Sequence, residues 1–257
     1  MANDYGYGVF SVAALVPSPP ILVPELCGAA CETDGPARLR AAALTAVGAL
    51  AGLREWTAIG VGAADQVLGP DALGTFRGFG ADVRAGLSAR ALGATPDPEL
   101  PLPALITGWL RGVVAPDATV TVRIIAADTE AARCASIGSA LRAELDRAPE
   151  PSGVLVLGDG AATLSLKAPG YLDERAAAAQ AALDRALAIG DLDALATLDP
   201  VLCDELMLSG RAAYQVLAGL FAADVRPPAI ETLYQDAPFG VGYDVAVWRP
   251  DAEGGAV

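Results

Sequence analysis

Short apolar runs rich in β-branched residues alternate with longer alanine- and leucine-rich stretches along most of the chain. Residues 9–16 (VFSVAALV), 56–62 (WTAIGVG), 120–126 (VTVRIIA) and 154–157 (VLVL) carry the first pattern and predict four core strands. Residues 37–53, 101–113, 130–145, 174–189 and 209–220 carry apolar positions at helical spacing and predict covering helices. Pro101 suits the first turn of the second of these, Gly190 the C-cap of the fourth, and Ser209 the N-cap of the fifth. Two shorter helices, 192–198 and 201–208, are separated at Asp199-Pro200. Residues 230–234 and 241–248 read as closing strands joined by the turn DAPFG. Residues 76–80 predict an irregular excursion, and 83–87 a short edge strand.

Strands alternating with helices predict an α/β fold: a three-layer sandwich whose central, mostly parallel-to-mixed sheet is covered by helices on both faces. No linker, repeat or shift in composition divides the chain. It therefore predicts a single domain over 9–248, with tails at 1–8 and 249–257.

Four prolines fall between Pro17 and Pro24, in PSPPILVPEL. They argue against a helix and predict a rigid extended loop with an apolar underside of Ile21, Leu22 and Val23. Such a loop, placed directly after a core strand, makes a good pocket wall.

Composition narrows the chemistry. Of the 257 residues, 53% are hydrophobic and 19% charged, which predicts a folded chain rather than a disordered one. A formal net charge of −14 argues against nucleic acid and anionic membranes as partners, since both need a basic surface. No run of eighteen apolar residues and no basic n-region occur, so neither a membrane span nor a signal peptide is predicted, and a cytoplasmic location is expected. A small-molecule ligand and a homo-oligomer remain as partners. The cysteines, at 27, 31, 134 and 203, form no disulfide framework and are expected to be reduced. Histidine is absent altogether. This removes histidine acid–base catalysis, Ser-His-Asp and Cys-His nucleophiles, and every imidazole metal site, so no cofactor is expected.

The stretch VLVLGDGAATLSLKAPGYLDERA, 154–176, carries the densest candidate chemistry. A buried strand runs into Gly158-Asp159-Gly160, then a polar loop, then a helix. Ligands of open α/β sheets sit beyond the carboxyl ends of the strands, so this stretch delivers Asp159, Thr163, Ser165, Lys167 and Tyr171 to the edge where a site belongs. Lys167 is the only lysine. A lysine can act as base or Schiff-base nucleophile when burial lowers its pKa, and a tyrosine can donate to a developing oxyanion. The plain alternative is a surface lysine paired with Asp173 or Glu174. Ser18 and Asp65 also follow directly on core strands and are expected at the same edge. Pro19 and Pro20 would line one wall there, Gly242 and Tyr243 another. Asp244 interrupts an apolar strand, and the plainer expectation is that it faces solvent.

The ordered blocks VPSPPILVPEL, GTFRGFGADV, LPLPALITGWL, LGDGAATLSLKAPGYLDERA, SGRAAYQVLAG and APFGVGYDVAVW resemble one family. It is the actinobacterial branch of the class III extradiol ring-cleavage dioxygenase superfamily, relatives of the catalytic chain of protocatechuate 4,5-dioxygenase and of MEMO proteins. The resemblance spans roughly 9–248; KAPGYLDERA and APFGVGY are its most specific blocks. It implies one α/β domain with a sheet between helical layers. It also implies, for catalytic members, an Fe(II) site of two histidines and a glutamate with a further histidine as acid–base. The family's first metal histidine lies in a His-Pro-Pro segment. Here that segment is Ser18-Pro19-Pro20, and no histidine follows the next strand near 63–65. The resemblance therefore implies the fold without its iron chemistry.

Three readings follow. The first is a non-catalytic protein that binds a small ligand or partner. The second is a metal-independent enzyme using Lys167, Tyr171, Asp159 and Asp65. The third is a carboxylate-only site for Mg²⁺ or Mn²⁺ at Asp65, Asp159 and Asp244. An amine of Lys167 inside a closed pocket would favour the second, and one in solvent the first.

Overall fold

The structure, a computed structural model, describes residues 10–28 and 34–250. The expected strand start at Val9, the residue Cys31 and most of both tails lie outside the described residues.

A seven-stranded mixed sheet forms the middle layer. Its strands are β1 (Phe10–Val16), β2 (Glu55–Gly62), β3 (Gln66–Leu68), β6 (Thr119–Ala126), β7 (Ser152–Leu157), β8 (Ala229–Asp236) and β9 (Tyr243–Arg249), in the order β3-β6-β2-β7-β1-β9-β8. The four strands β6, β2, β7 and β1 run parallel to one another. Strands β3 and β9 pair antiparallel to β6 and β1, and β8 antiparallel to β9. A separate hairpin joins β4 (Leu73–Thr75) to β5 (Arg84–Gly86), so the short strand expected near 83–87 pairs outside the main sheet.

Alternating side chains send the two faces of the sheet into two cores. On one face Val12, Ala58, Val122, Leu155 and Val245 pack under α1 (Asp34–Gly48) and α2 (Leu102–Val114). On the other, Ala13, Ile59, Val154, Val156 and Trp248 pack under α3 (Ala131–Leu145), α4 (Ala176–Ile189), α5 (Leu192–Ala196) and α7 (Arg211–Phe221). Both faces of β7 are buried along its whole length, as its unbroken apolar run predicts. Helix α6 (Pro200–Glu205) follows α5, and Asp191 and Asp199 cap the two with side-chain hydrogen bonds to backbone N–H groups.

Several local expectations change. The proline segment is not extended: Pro20–Leu22 and Pro24–Leu26 each form a 3₁₀ turn with proline first, the position where a missing N–H costs nothing. Leu22 and Val23 are fully buried beneath them. Helix α7 begins at Gly210 rather than on a Ser209 cap, and no side chain caps it. Gly190 closes α4 in the left-handed conformation, as expected. Cys27 is disulfide-bonded, against the expectation of reduced thiols, while Cys134 and Cys203 are free and buried. Among the described residues, no helix is long and apolar enough to cross a membrane.

Candidate functional site

The site is built where β1 and β7 end side by side. Val16 and Leu157 are register partners, and the ladder continues through Gly158 N–H to the Val16 carbonyl, 3.1 Å. Two residues further along each strand, Ser18 and Asp159 meet. The Ser18 N–H donates to Asp159 Oδ1 at 2.9 Å, and the Ser18 hydroxyl to Oδ2 at 3.0 Å. The Asp159 carbonyl in turn accepts from Gly210 N–H at the start of α7, 2.9 Å. One aspartate thus joins two strand ends and a helix entry.

The glycines on either side of Asp159 are required by close packing rather than by a left-handed backbone. A Cβ on Gly158 would lie 2.8 Å from the Tyr214 ring, and one on Gly160 would lie 2.3 Å from Gln180 Oε1. Gln180 also accepts from Ala161 N–H at 2.8 Å and packs against Gly242. The Asp159 loop is laced to the lead-in of β9 by Gly160 N–H to Gly242 O, 2.8 Å, and Gly242 N–H to Ala161 O, 2.9 Å.

Asp159 opens onto a cavity of about 890 Å³. Its walls are the loop after β6, helix α6, the turn from α6 to α7, and Val241 and Tyr243 ahead of and at the start of β9. The volume falls in the range of small-molecule sites. Burial raises the pKa of Asp159, against the two hydrogen bonds from Ser18 that favour its charged form. Tyr243 is buried, and its hydroxyl has no hydrogen-bond partner among the described residues. Burial, then the nearby Asp159 charge, pushes its pKa up, so the phenol stays protonated at neutral pH.

The other candidates separate. Lys167 is exposed and makes no ion pair among the described residues; Asp173 pairs instead with Arg175. Tyr171 is 63% exposed, at φ +64°. Neither lines the cavity. Thr163 is buried, its hydroxyl donating to the Leu206 carbonyl at 3.3 Å. Ser165 packs on Gly240, which turns at φ +71°. Asp65 turns away from β7: it accepts from Ala126 N–H at 2.9 Å and pairs with Arg133 at 2.6 Å. Pro19 and Pro20 are half-buried beside Ser18, outside the cavity lining.

Asp244 is buried, not solvent-facing. It bonds to Asp184 on α4, with Gln180 and Gln235 donating to the two carboxyls. Burial and then the Asp184 charge raise its pKa to about 7. Asp65, Asp159 and Asp244 are therefore each committed to different partners. Among the described residues, no cluster of three or more acidic, cysteine or histidine side chains is placed to hold a metal ion.

Arg211 and Cys203 are among the cavity residues that the sequence does not single out. Arg211 is buried at the first turn of α7 and donates to the Thr129 carbonyl, the Ala127 carbonyl and Gln215, fixing the loop after β6. Arginine at a helix N-terminus opposes the helix dipole, and that was the readable signal. Cys203, on the inner face of α6, gave none: its thiol is pushed up to about 11 by burial.

No family model matches the chain, and no curated protein matches it. Among solved structures it is similar to an uncharacterized protein from Escherichia coli K12, at 12% identity and a TM-score of 0.51, with 93% of this chain and 99% of that chain covered. At that identity the likeness shows a shared α/β fold.

Proposed function

We propose that the chain is a small-molecule-binding protein with an extradiol-dioxygenase-like fold and no iron chemistry, and that its ligand occupies the cavity at Asp159. The observation that carries this is the closed pair of Ser18 and Asp159. Where the resembled family has a metal histidine, this chain has a serine whose N–H and hydroxyl are both spent on one carboxylate. Each Asp159 oxygen keeps acceptor capacity toward the cavity, and Tyr243 adds a phenol. A cavity of this volume that brings Asp159 and Tyr243 beside the apolar side chains of Val201, Met207, Leu208 and Val241 suits ligand binding. The exposed positions of Lys167 and Tyr171 weigh against the metal-independent enzyme built on them.

Anaerobic reconstitution with Fe(II), followed by metal analysis and a ring-cleavage assay on protocatechuate, tests this reading. The expected result is no stoichiometric iron and no product. In the same preparation Lys167→Met should leave ligand-induced thermal shifts unchanged and alter stability by less than about 1 kcal/mol, as an exposed side chain does. Stoichiometric iron with turnover, or loss of ligand response on removing Lys167, would overturn the proposal.

A further inference from the structure

The cavity contains a carboxyl group without a countercharge beside it among the described residues. No arginine or lysine lies within ion-pairing distance of Asp159 among the described residues. Its only polar partners among the described residues are the N–H and hydroxyl of Ser18, which hold the carboxyl and leave a lone pair on each oxygen free. A carboxylate taken out of water without a countercharge is costly, and a cation arriving in the cavity would offset that cost.

Tyr243 supplies the second observation. It is 6% exposed, lines the same cavity, and has a hydroxyl without a hydrogen-bond partner among the described residues. A neutral phenol offers a lone pair to a donor and its ring to a cation.

Apart from Arg211, the remaining charges of the lining are negative. Asp128 and Asp204 also line the cavity and make no ion pair among the described residues. Glu205 is bound to Arg175, and Arg211 is turned to loop carbonyls and Gln215. The whole chain carries −14, a field that draws cations and repels anions. Between these groups the walls are apolar: Val201, Met207, Leu208 and Val241.

We infer that the cavity takes a small molecule with an apolar body and a protonated amine, the ammonium seated between the Asp159 carboxylate and the Tyr243 hydroxyl. This rests on the ligand-binding reading and names its ligand class. The ammonium donates to the free lone pairs of Asp159 and to the phenol oxygen. The body lies along Val201, Met207, Leu208 and Val241.

Isothermal titration of the purified full chain with three probes of matched shape tests it: phenylbutylamine, phenylbutanol and phenylbutyrate, at neutral pH and low salt. The amine should bind at least about tenfold more tightly than the alcohol, with the acid weakest. Asp159→Asn should remove that preference, and Tyr243→Phe should reduce it, each variant first checked for an unchanged melting curve. If Asp159→Asn does not fold, Tyr243→Phe alone must show the reduced preference. Equal or tighter binding of the alcohol or the acid overturns the amine assignment and leaves the ligand-binding reading standing. Amine binding that neither variant weakens also overturns it, as adsorption to an acidic surface. Absence of binding by all three overturns both.

Discussion

Above neutral pH, Asp244→Asn should be more stable than the native chain by roughly 2–4 kcal/mol, and near pH 4 the two should be equal. Asp244 and Asp184 face one another with no cation beside them among the described residues, so the folded state favours keeping a proton on the pair. Burial raises both carboxyls, Asp244 to about 7 from 3.8. Between those values the folded chain binds more protons than the unfolded one. Stability is therefore fully present below about pH 4 and is lost as pH rises through about 7. A displacement of that size corresponds to about 4 kcal/mol, shared by two groups that titrate together. Asparagine keeps a donor toward Asp184 and an acceptor for Gln235 without ever ionising. Urea unfolding of both proteins across this pH range measures the difference directly. A native chain whose stability rises between pH 4 and 8 relative to the variant would contradict this assignment. The consequence reaches the site, because Gln180 braces both this pair and the loop that carries Asp159.

Gly138→Ala should cost about 2–3 kcal/mol, although alanine is the better helix former by about 1 kcal/mol. Helices α3 and α7 cross backbone to backbone at this point. A Cβ on Gly138 would lie 2.1 Å from the Val216 carbonyl oxygen, and one on Gly219 would lie 2.2 Å from the Ala135 carbonyl oxygen. Neither neighbour is a side chain that can swing aside, so the helices must part. Gly112→Ala on α2 is the control: nothing lies within 4 Å of that Cβ, and the change should stabilise by about 0.5–1 kcal/mol. Opposite signs for the two substitutions in thermal or denaturant unfolding are expected. A neutral Gly138→Ala would mean that α3 and α7 do not pack this closely. Their contact matters to function because α7 carries Arg211 and Gly210, which set one side of the cavity.

The sheet was legible because its signals are local. β-branched apolar runs such as VLVL at β7 need no partner to be recognised, and glycine at 190 announces the end of α4 by its own backbone freedom. Strand order was not legible. Nothing in VFSVAALV says that β1 sits between β7 and β9, and the short β3 at the edge gave only three residues of signal.

The site divided along the same line. Ser18 and Asp159 were expected at one edge because each follows a parallel strand, and they meet there. Asp65 met the same condition but turns toward β6, where Arg133 and Ala126 N–H hold it. Lys167 stood out by being the only lysine, a property of composition that carries no spatial information. Asp244 looked solvent-facing because its partners, Asp184 and Gln180, are about sixty positions away on α4. The proline segment departs from the extended expectation because proline breaks only the interior of a helix and fits the first position of a 3₁₀ turn.

Crystals of the native chain and of Asp159→Asn, soaked in parallel with a library of small fragments, test the central claim most directly. Fragment density is expected inside the cavity, with polar atoms within hydrogen-bonding distance of Asp159 and Tyr243. Fragments touching the carboxylate should be lost from the variant. Fragments that gather elsewhere on the molecule while the cavity holds only water, or density at Asp159 that persists unchanged in the asparagine variant, would contradict the claim.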